Sequence, residues 1–152
     1  MTPAVTLLAD AGEGAGLGHV ARCSAIAAAL RARGVTASCL ALGGEAPAVD
    51  GVAWTPAGAL ADVEPRHGHA VLVDSYRTGV GDVEAFAARH AVAVLHDQGE
   101  PPAGARLVIA VGGAPEVVAA PCRVVAGLAY APLRAPFWDV PPRIVRDAVA
   151  RV

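Results

Sequence analysis

The residues most able to do chemistry follow a glycine-rich stretch near the start of the chain. Glycines occupy every second position from Gly12 to Gly18, His19 comes directly after them, and Arg22 lies three residues further on. If a helix begins near His19, the positive end of its dipole disfavours the imidazolium, so His19 is expected to be neutral at about pH 7 and able to act as a general base. Arg22 would lie on the same helix side, where it opposes protonation of His19 and offers a donor fork to a phosphate. The local pattern alone equally allows His19 to cap the helix and Arg22 to be a solvated charge.

Further polar side chains follow apolar runs that are predicted to be strands. Asp74 and Tyr76 come after residues 70–73, and Asp97 comes after residues 91–95. Ligands of parallel sheets bind beyond the carboxyl ends of the strands, so Asp74 and Tyr76 are candidates to shape a substrate cleft. Asp74 has an equally good alternative role as the cap of the turn that follows it.

The elements that must position these residues alternate between strand and helix. An apolar run over residues 5–9, the glycine stretch, a helical pattern over 19–33 and a second run over 35–42 form one βαβ unit. The pattern continues with predicted strands at 70–73, 91–95, 107–111 and 123–126 and a predicted helix at 80–90. It predicts an α/β fold with a Rossmann-like parallel sheet and helices on both faces. Four prolines in residues 131–142 indicate a linker.

Composition excludes several classes of function. The chain has no lysine, so it has no Schiff-base or pyridoxal phosphate anchor and no Walker A loop, and a Rossmann G-x-G-x-x-G from Gly14 would need glycine where His19 stands. No cofactor is therefore predicted. The three cysteines lack C-x-x-C spacing and no metal site is expected. The net charge of −2 argues against nucleic acid as a partner. Without a signal peptide or a run long enough to span a membrane, the protein is expected to be cytoplasmic.

Residues 14–27, which read GAGLGHVARCSAIA, resemble the G-x-G-H-x-x-R-C/D-x-x-L/I-A signature of the PseG/SpsG-like nucleotide-sugar hydrolase family, and more distantly the glycine–histidine loop of MurG-type glycosyltransferases. Three further segments agree in order and rough spacing. Residues 72–76 resemble the family's V-D-x-Y, residues 94–97 its strand ending in Asp-Asp, and residues 127–137 its G-x-x-Y-x-x-L-R-x-x-F.

The resemblance implies a GT-B fold, in which two Rossmann-like domains face each other across a cleft. Residues 1–137 would be the N-terminal domain, and residues 138–152 the interdomain linker and the start of a C-terminal domain that binds most of the nucleotide. His19 would activate water to cleave a UDP-sugar, as in UDP-2,4-diacetamido-2,4,6-trideoxy-altropyranose hydrolase, in surface-polysaccharide or nonulosonic-acid synthesis. The candidate substrate-binding residues are Gly16, Gly18, Arg22, Asp74, Tyr76, Asp97 and Tyr130.

The sequence also departs from the family pattern and leaves alternatives open. His96 replaces the first aspartate of the Asp-Asp pair, and Glu13 in the glycine stretch suggests that this loop faces a sugar or water more than a phosphate. Tyr130 and Arg134 could line the cleft or pin the linker. A GT-B glycosyltransferase, with His19 activating an acceptor hydroxyl, and a non-catalytic sugar-binding or docking domain are the alternative functions. Without the missing domain the chain is expected to have little activity and to form a homodimer.

Overall fold

The computed structural model describes residues 3–66, 68–97, 99–112 and 122–141. Within these residues, seven strands form one sheet in the order β3-β2-β1-β4-β5-β6-β7, and every neighbouring pair is parallel. The predicted α/β fold with a Rossmann-like parallel sheet is confirmed. The strands are β1 (Ala4–Asp10), β2 (Thr36–Leu42), β3 (Thr55–Ala57), β4 (Ala70–Asp74), β5 (Val92–Leu95), β6 (Leu107–Ala110) and β7 (Arg123–Ala126).

The sheet order reverses between β1 and β4. From β1 the chain runs outward through β2 to β3, then returns to place β4 on the other side of β1 and continues outward to β7. At such a reversal the connections leave in opposite directions and open a crevice beyond the carboxyl ends of the two strands. The first helix and the turn after β4 both start at this crevice.

Helix α1 (Gly18–Ala32) joins β1 to β2, and helix α2 (Val80–Ala87) lies between β4 and β5. The predicted helix at 19–33 thus exists with bounds shifted by one residue. Gly34 follows α1 with a φ of +75°, a conformation that a residue without a Cβ adopts at no steric cost, and this ends the helix as the sequence predicts.

Successive residues of β1 alternate between two apolar clusters. Leu7 and Ala9 belong to a cluster that includes Val20 of α1, whereas Leu8 belongs to a cluster that includes Phe86 of α2. Because neighbouring strand residues point to opposite faces, the sheet has an apolar cluster on each face. The expectation that helices cover both faces goes further than these two helices and stays a prediction.

Three details differ from the sequence-based expectations. The short strand β3 was not predicted, helix α2 ends at Ala87 rather than at residue 90, and a 3₁₀ helix (Ala135–Phe137) lies within the predicted linker. Residues 142–152, which carry most of the predicted start of a second domain, lie outside the described residues. None of the described helices is long and apolar enough to cross a membrane.

Several large apolar side chains are exposed in the segment after β7. They are Leu128, Tyr130, Leu133, Phe137, Trp138 and Val140. The predicted homodimer stays a prediction.

Candidate functional site

The carboxyl edge of β1 and β4 brings the two ends of the candidate site together. Ala9 and Asp74 are register partners in the β1–β4 pair, so both strands finish at the same level. After β1 the chain passes through the glycine stretch into α1, which places His19 in the first turn of that helix. The reversal in sheet order therefore positions His19 opposite the last residue of β4.

His19 and Asp74 form a buried hydrogen bond at this edge. Nδ1 of His19 lies 2.8 Å from Oδ1 of Asp74, the Asp74 side chain is fully buried, and the His19 side chain is 9% exposed. Nη2 of Arg22 also lies 3.3 Å from the same Nδ1, but a guanidinium has only donors, so the two contacts require different tautomers. The contact with the carboxylate is shorter and charge-assisted, and it assigns the proton to Nδ1.

In the neutral form of His19, that assignment leaves Nε2 with a lone pair. Among the residues that the structure describes, none forms a hydrogen bond with Nε2. A histidine whose Nδ1–H is held by a buried carboxylate and whose Nε2 is unoccupied has the arrangement of a general base. The structure thus places His19 at the carboxyl edge of the sheet and not as a side-chain cap of α1, whose N-cap residue is Leu17.

Arg22 joins the two carboxylates of the site. Its Nε and Nη2 donate to the two oxygens of Asp74 at 2.5 Å each, and its Nη1 donates to Oδ2 of Asp97 at 2.8 Å. These hydrogen bonds, first that to Asp74, raise the pKa of Arg22 against the opposing effect of burial. The guanidinium expected to meet a phosphate is therefore engaged with protein carboxylates and neutralises part of their charge.

Tyr76 packs against the ring of His19. The two rings are in edge contact, with centroids 4.6 Å apart and an interplanar angle of 83°, and the Tyr76 hydroxyl donates to Oδ2 of Asp97. The hydrogen bond to Asp97 raises the pKa of Tyr76. Burial alone would raise the pKa of Asp97, but the hydrogen bonds from Tyr76 and Arg22 outweigh it, and the pKa of Asp97 is lowered.

Asp10 is a site residue that the sequence reasoning missed. It ends β1, is 2% exposed and accepts three hydrogen bonds from the turn after β4. The donors are the Ser75 hydroxyl at 2.6 Å, the Tyr76 N–H at 2.7 Å and the Arg77 N–H at 3.1 Å. The turn-capping role considered for Asp74 is therefore performed by Asp10. The available signal was a carboxylate that ends the first strand, matching the one that ends β4.

The glycine stretch has two kinds of glycine. Gly12 has a φ of +80°, and a Cβ on it would lie 2.9 Å from the Gly43 carbonyl oxygen, so it serves close packing between two loops. Gly16, with a φ of +68°, and Gly18 both have open space where a Cβ would be. The two glycines predicted to bind substrate are thus those at which a Cβ would meet no other atom within 4 Å.

Tyr130 lies apart from the other candidates. It belongs to a 3₁₀ helix (Leu128–Tyr130) after the edge strand β7, is 50% exposed, and within the described ranges forms no hydrogen bond to His19 or its partners. Arg134 forms a two-bond ion pair with Asp50, through Nε at 2.6 Å and Nη2 at 2.5 Å. Of the two roles considered for Arg134, this contact corresponds to pinning the linker.

A cavity of about 220 Å³ opens beside Tyr76 and Asp97, beyond the carboxyl ends of β4 and β5. Its lining combines apolar and polar groups: Val73, Ser75, Tyr76, Thr78, Val80, Val83, Val94, Leu95, His96, Asp97, Glu100 and Pro102. The lining contains two carboxylates and no arginine. Across the described parts of the chain, no group of three or more His, Cys, Asp or Glu could hold a metal ion.

Fold and site together define an α/β protein with a Rossmann-like sheet and a carboxylate-oriented histidine at the switch point of that sheet. Neither a protein-family model, nor a curated protein, nor a solved structure shows a significant match to the chain.

Proposed function

We propose that this chain is the N-terminal, general-base half of a nucleotide-sugar hydrolase that releases UDP and the free sugar. The observation that supports this most directly is the His19–Asp74 pair, which leaves Nε2 unoccupied at the edge where ligands of such sheets bind. The resemblance of residues 14–27 to the PseG/SpsG-like signature supplies the substrate class.

In this proposal Nε2 of His19 takes a proton from water while the water oxygen bonds to the anomeric carbon. The bond from that carbon to the phosphate oxygen breaks, and its electron pair leaves with UDP. The imidazolium formed on His19 is stabilised by Asp74, which also fixes the tautomer that the reaction needs. No cofactor or metal takes part in these steps.

The remaining side chains fit the sugar end of such a substrate. The cavity beside Tyr76 offers hydroxyl, carboxylate, imidazole and apolar groups but no arginine, which suits an uncharged sugar better than a diphosphate. Arg22 is already shared by Asp74 and Asp97. The proposal therefore assigns the diphosphate to a second domain, as the resemblance implies.

The test is UDP release from a panel of UDP-linked acetamido sugars, with the complete product of the gene. His19→Gln is expected to lower kcat by about 10²–10⁴-fold, the range that a general base contributes. His69→Gln is the matched control, because His69 precedes β4 at the opposite end of the sheet and contacts Thr6. Circular dichroism checks that both variants are folded.

The product identifies the acceptor. Free sugar with UDP in water supports hydrolysis, whereas UDP release that requires an added hydroxyl compound would support the glycosyltransferase alternative. Unchanged turnover in His19→Gln, or equal losses in the His19 and His69 variants, would overturn the catalytic assignment. Sugar binding without turnover by the complete protein would favour the non-catalytic alternative.

A further inference from the structure

Asp10 ends β1, where the loop into α1 begins, and its side chain contacts the turn that follows β4. Its Oδ1 accepts the Ser75 hydroxyl, and its Oδ2 accepts the main-chain N–H groups of Tyr76 and Arg77. The carboxylate is 2% exposed and ends the strand next to β4. A buried acceptor that pairs with two successive N–H groups and a hydroxyl leaves the turn after β4 little freedom.

The turn that Asp10 holds carries side chains in two directions. Tyr76 points to His19, where the rings are 4.6 Å apart, and its hydroxyl reaches Asp97. Arg77 points back to the glycine stretch, where its guanidinium donates to the carbonyl oxygens of Ala11, at 3.3 Å, and Glu13. The same turn therefore holds the Tyr76 ring that contacts His19 and, through Arg77, the loop that leads into α1.

We propose that Asp10 is a positioning residue of the His19 site, which acts through hydrogen-bond geometry by holding Tyr76 against His19. The inference deepens the proposed function and rests on it where activity is concerned, but its structural content does not. Asp10 does not touch His19 and is not a catalytic residue. Its contribution is the placement of the Tyr76 ring and hydroxyl.

An asparagine at position 10 separates geometry from charge. Its carbonyl oxygen can accept both main-chain N–H groups, and its amide can donate to the Ser75 oxygen once the Ser75 hydroxyl turns to Thr78, whose Oγ1 is 2.8 Å away. Asp10→Asn therefore keeps the turn and loses the negative charge. Asp10→Ala loses all three acceptor contacts. A positioning role predicts that the two variants differ, whereas a purely electrostatic role predicts that they match.

The first measurement is the NMR shift of the His19 ring protons, which the neighbouring Tyr76 ring displaces. The His19 signals are assigned by their loss in His19→Gln. We expect Asp10→Ala to move them to the values found in Tyr76→Leu, and Asp10→Asn to leave them close to wild type. Asp62→Ala is the matched control, because the Asp62 carboxylate also caps a turn, through the Ala59 N–H at 3.1 Å, but in the connection after β3.

The second measurement is turnover of a UDP-sugar by the complete protein. A displacement of about 1 Å in a positioned group can cost roughly 100-fold, so Asp10→Ala is expected to lose about that factor in kcat with KM little changed, and Asp10→Asn to recover most of it. If Asp10→Ala does not fold, Ser75→Ala removes only the hydroxyl contact and should move the His19 signals in the same direction by less.

The outcomes separate the two proposals. Unmoved His19 signals in Asp10→Ala, or equal effects of Asp10→Ala and Asp10→Asn, would overturn the positioning role whether or not the protein turns over a UDP-sugar. Moved signals, with rescue by Asp10→Asn, would support that role even if no UDP-sugar is cleaved. In that case only the proposed hydrolase activity fails.

Discussion

The buried carboxylate of Asp74, which accepts hydrogen bonds from His19, Arg22 and Cys23, determines what His19 can do. Asp74 is fully buried, and an unpaired charge there would be costly, so Arg22 offsets it with two hydrogen bonds. Oδ1 of Asp74, which accepts one of these two hydrogen bonds, also accepts a hydrogen bond from Nδ1 of His19. Arg22 donates two hydrogen bonds to this carboxylate, and the same carboxylate lies beside the imidazole when His19 accepts a proton in the proposed reaction.

The hydrogen bond between Tyr76 and Asp97 predicts how the Tyr76 hydroxyl titrates. Asp97 raises the pKa of Tyr76 above its ordinary value of 10.0, so Asp97→Asn, which removes the negative charge, is expected to bring that pKa down. The chain has two tyrosines, so a Tyr130→Phe background isolates Tyr76. The measurement is ultraviolet absorbance of the phenolate as a function of pH.

The raised pKa of Tyr76 and the lowered pKa of Asp97 make protein stability depend on pH in opposite directions. Tyr76 has a raised folded-state pKa, so its contribution to stability is complete below about pH 10 and is lost as the pH rises through the folded value. Asp97 has a lowered pKa, so its contribution is complete above about pH 4 and is lost as the pH falls through the folded value.

Identical Tyr76 titrations with and without Asp97→Asn would show that the hydrogen bond does not form in solution.

The glycines at and after the loop between β1 and α1 have different surroundings, so their alanine variants should differ in stability. Gly12→Ala adds the strain of a positive φ, about 1–2 kcal/mol, to a collision with the Gly43 carbonyl that costs a further ~1–3 kcal/mol. Gly16→Ala adds only the strain, about 1–2 kcal/mol. Gly18→Ala, in the first turn of α1 with open space around it, should stabilise by up to about 1 kcal/mol.

Urea unfolding of the three variants checks this order. The free energy of unfolding should be lowest for Gly12→Ala, intermediate for Gly16→Ala and highest for Gly18→Ala. Equal stability of Gly12→Ala and Gly16→Ala would mean that the close approach to Gly43 is absent or relaxes without cost.

Apolar spacing in the sequence was sufficient to predict the longer strands and the first helix, but not the short strand at the edge of the sheet. The run at residues 5–9, the helix before Gly34 and the strand ending at Asp74 follow from apolar spacing and a glycine stop. Strand β3 has three residues with Pro56 at its centre, and proline at the sheet edge gives no strand signal in the sequence.

The candidate site was predictable in its residue types but not in its contacts. His19 could be chosen because it opens a predicted helix, Arg22 because it lies three residues further on, and Asp74 because it ends a predicted strand, whereas Asp97 was chosen from the resemblance to the PseG/SpsG-like signature. The hydrogen bond between His19 and Asp74 spans 55 residues and depends on β4 lying next to β1, which no local pattern specifies. Asp10 was missed for the same reason, since its partners belong to a turn more than 60 residues away.

At the scale of the whole molecule, the central strands are shared by both apolar clusters. Leu7 and Leu8 are adjacent in β1 and fully buried in opposite clusters, and Leu72 and Val73 repeat this arrangement in β4. Removing one cluster would expose one face of the strands that hold the other. The His19 site lies at the end of these shared strands, so its geometry depends on both faces of the sheet.

This sharing predicts that a change on one face is detected on the other. Phe86 is fully buried in the α2 cluster, and Trp54 is packed in the α1 cluster, where its Nε1–H donates to Ser24 at 3.0 Å. Phe86→Ala is expected to cost about 3–5 kcal/mol. In a Trp138→Phe background, urea unfolding followed by Trp54 fluorescence and by circular dichroism should give one coincident transition, shifted equally for both signals.

If Phe86→Ala is too unstable, Val83→Ala gives a milder change in the same cluster. A Trp54 transition that stays at its wild-type midpoint while the dichroism shifts would mean that the two faces unfold separately, and the site would then depend on the α1 face alone.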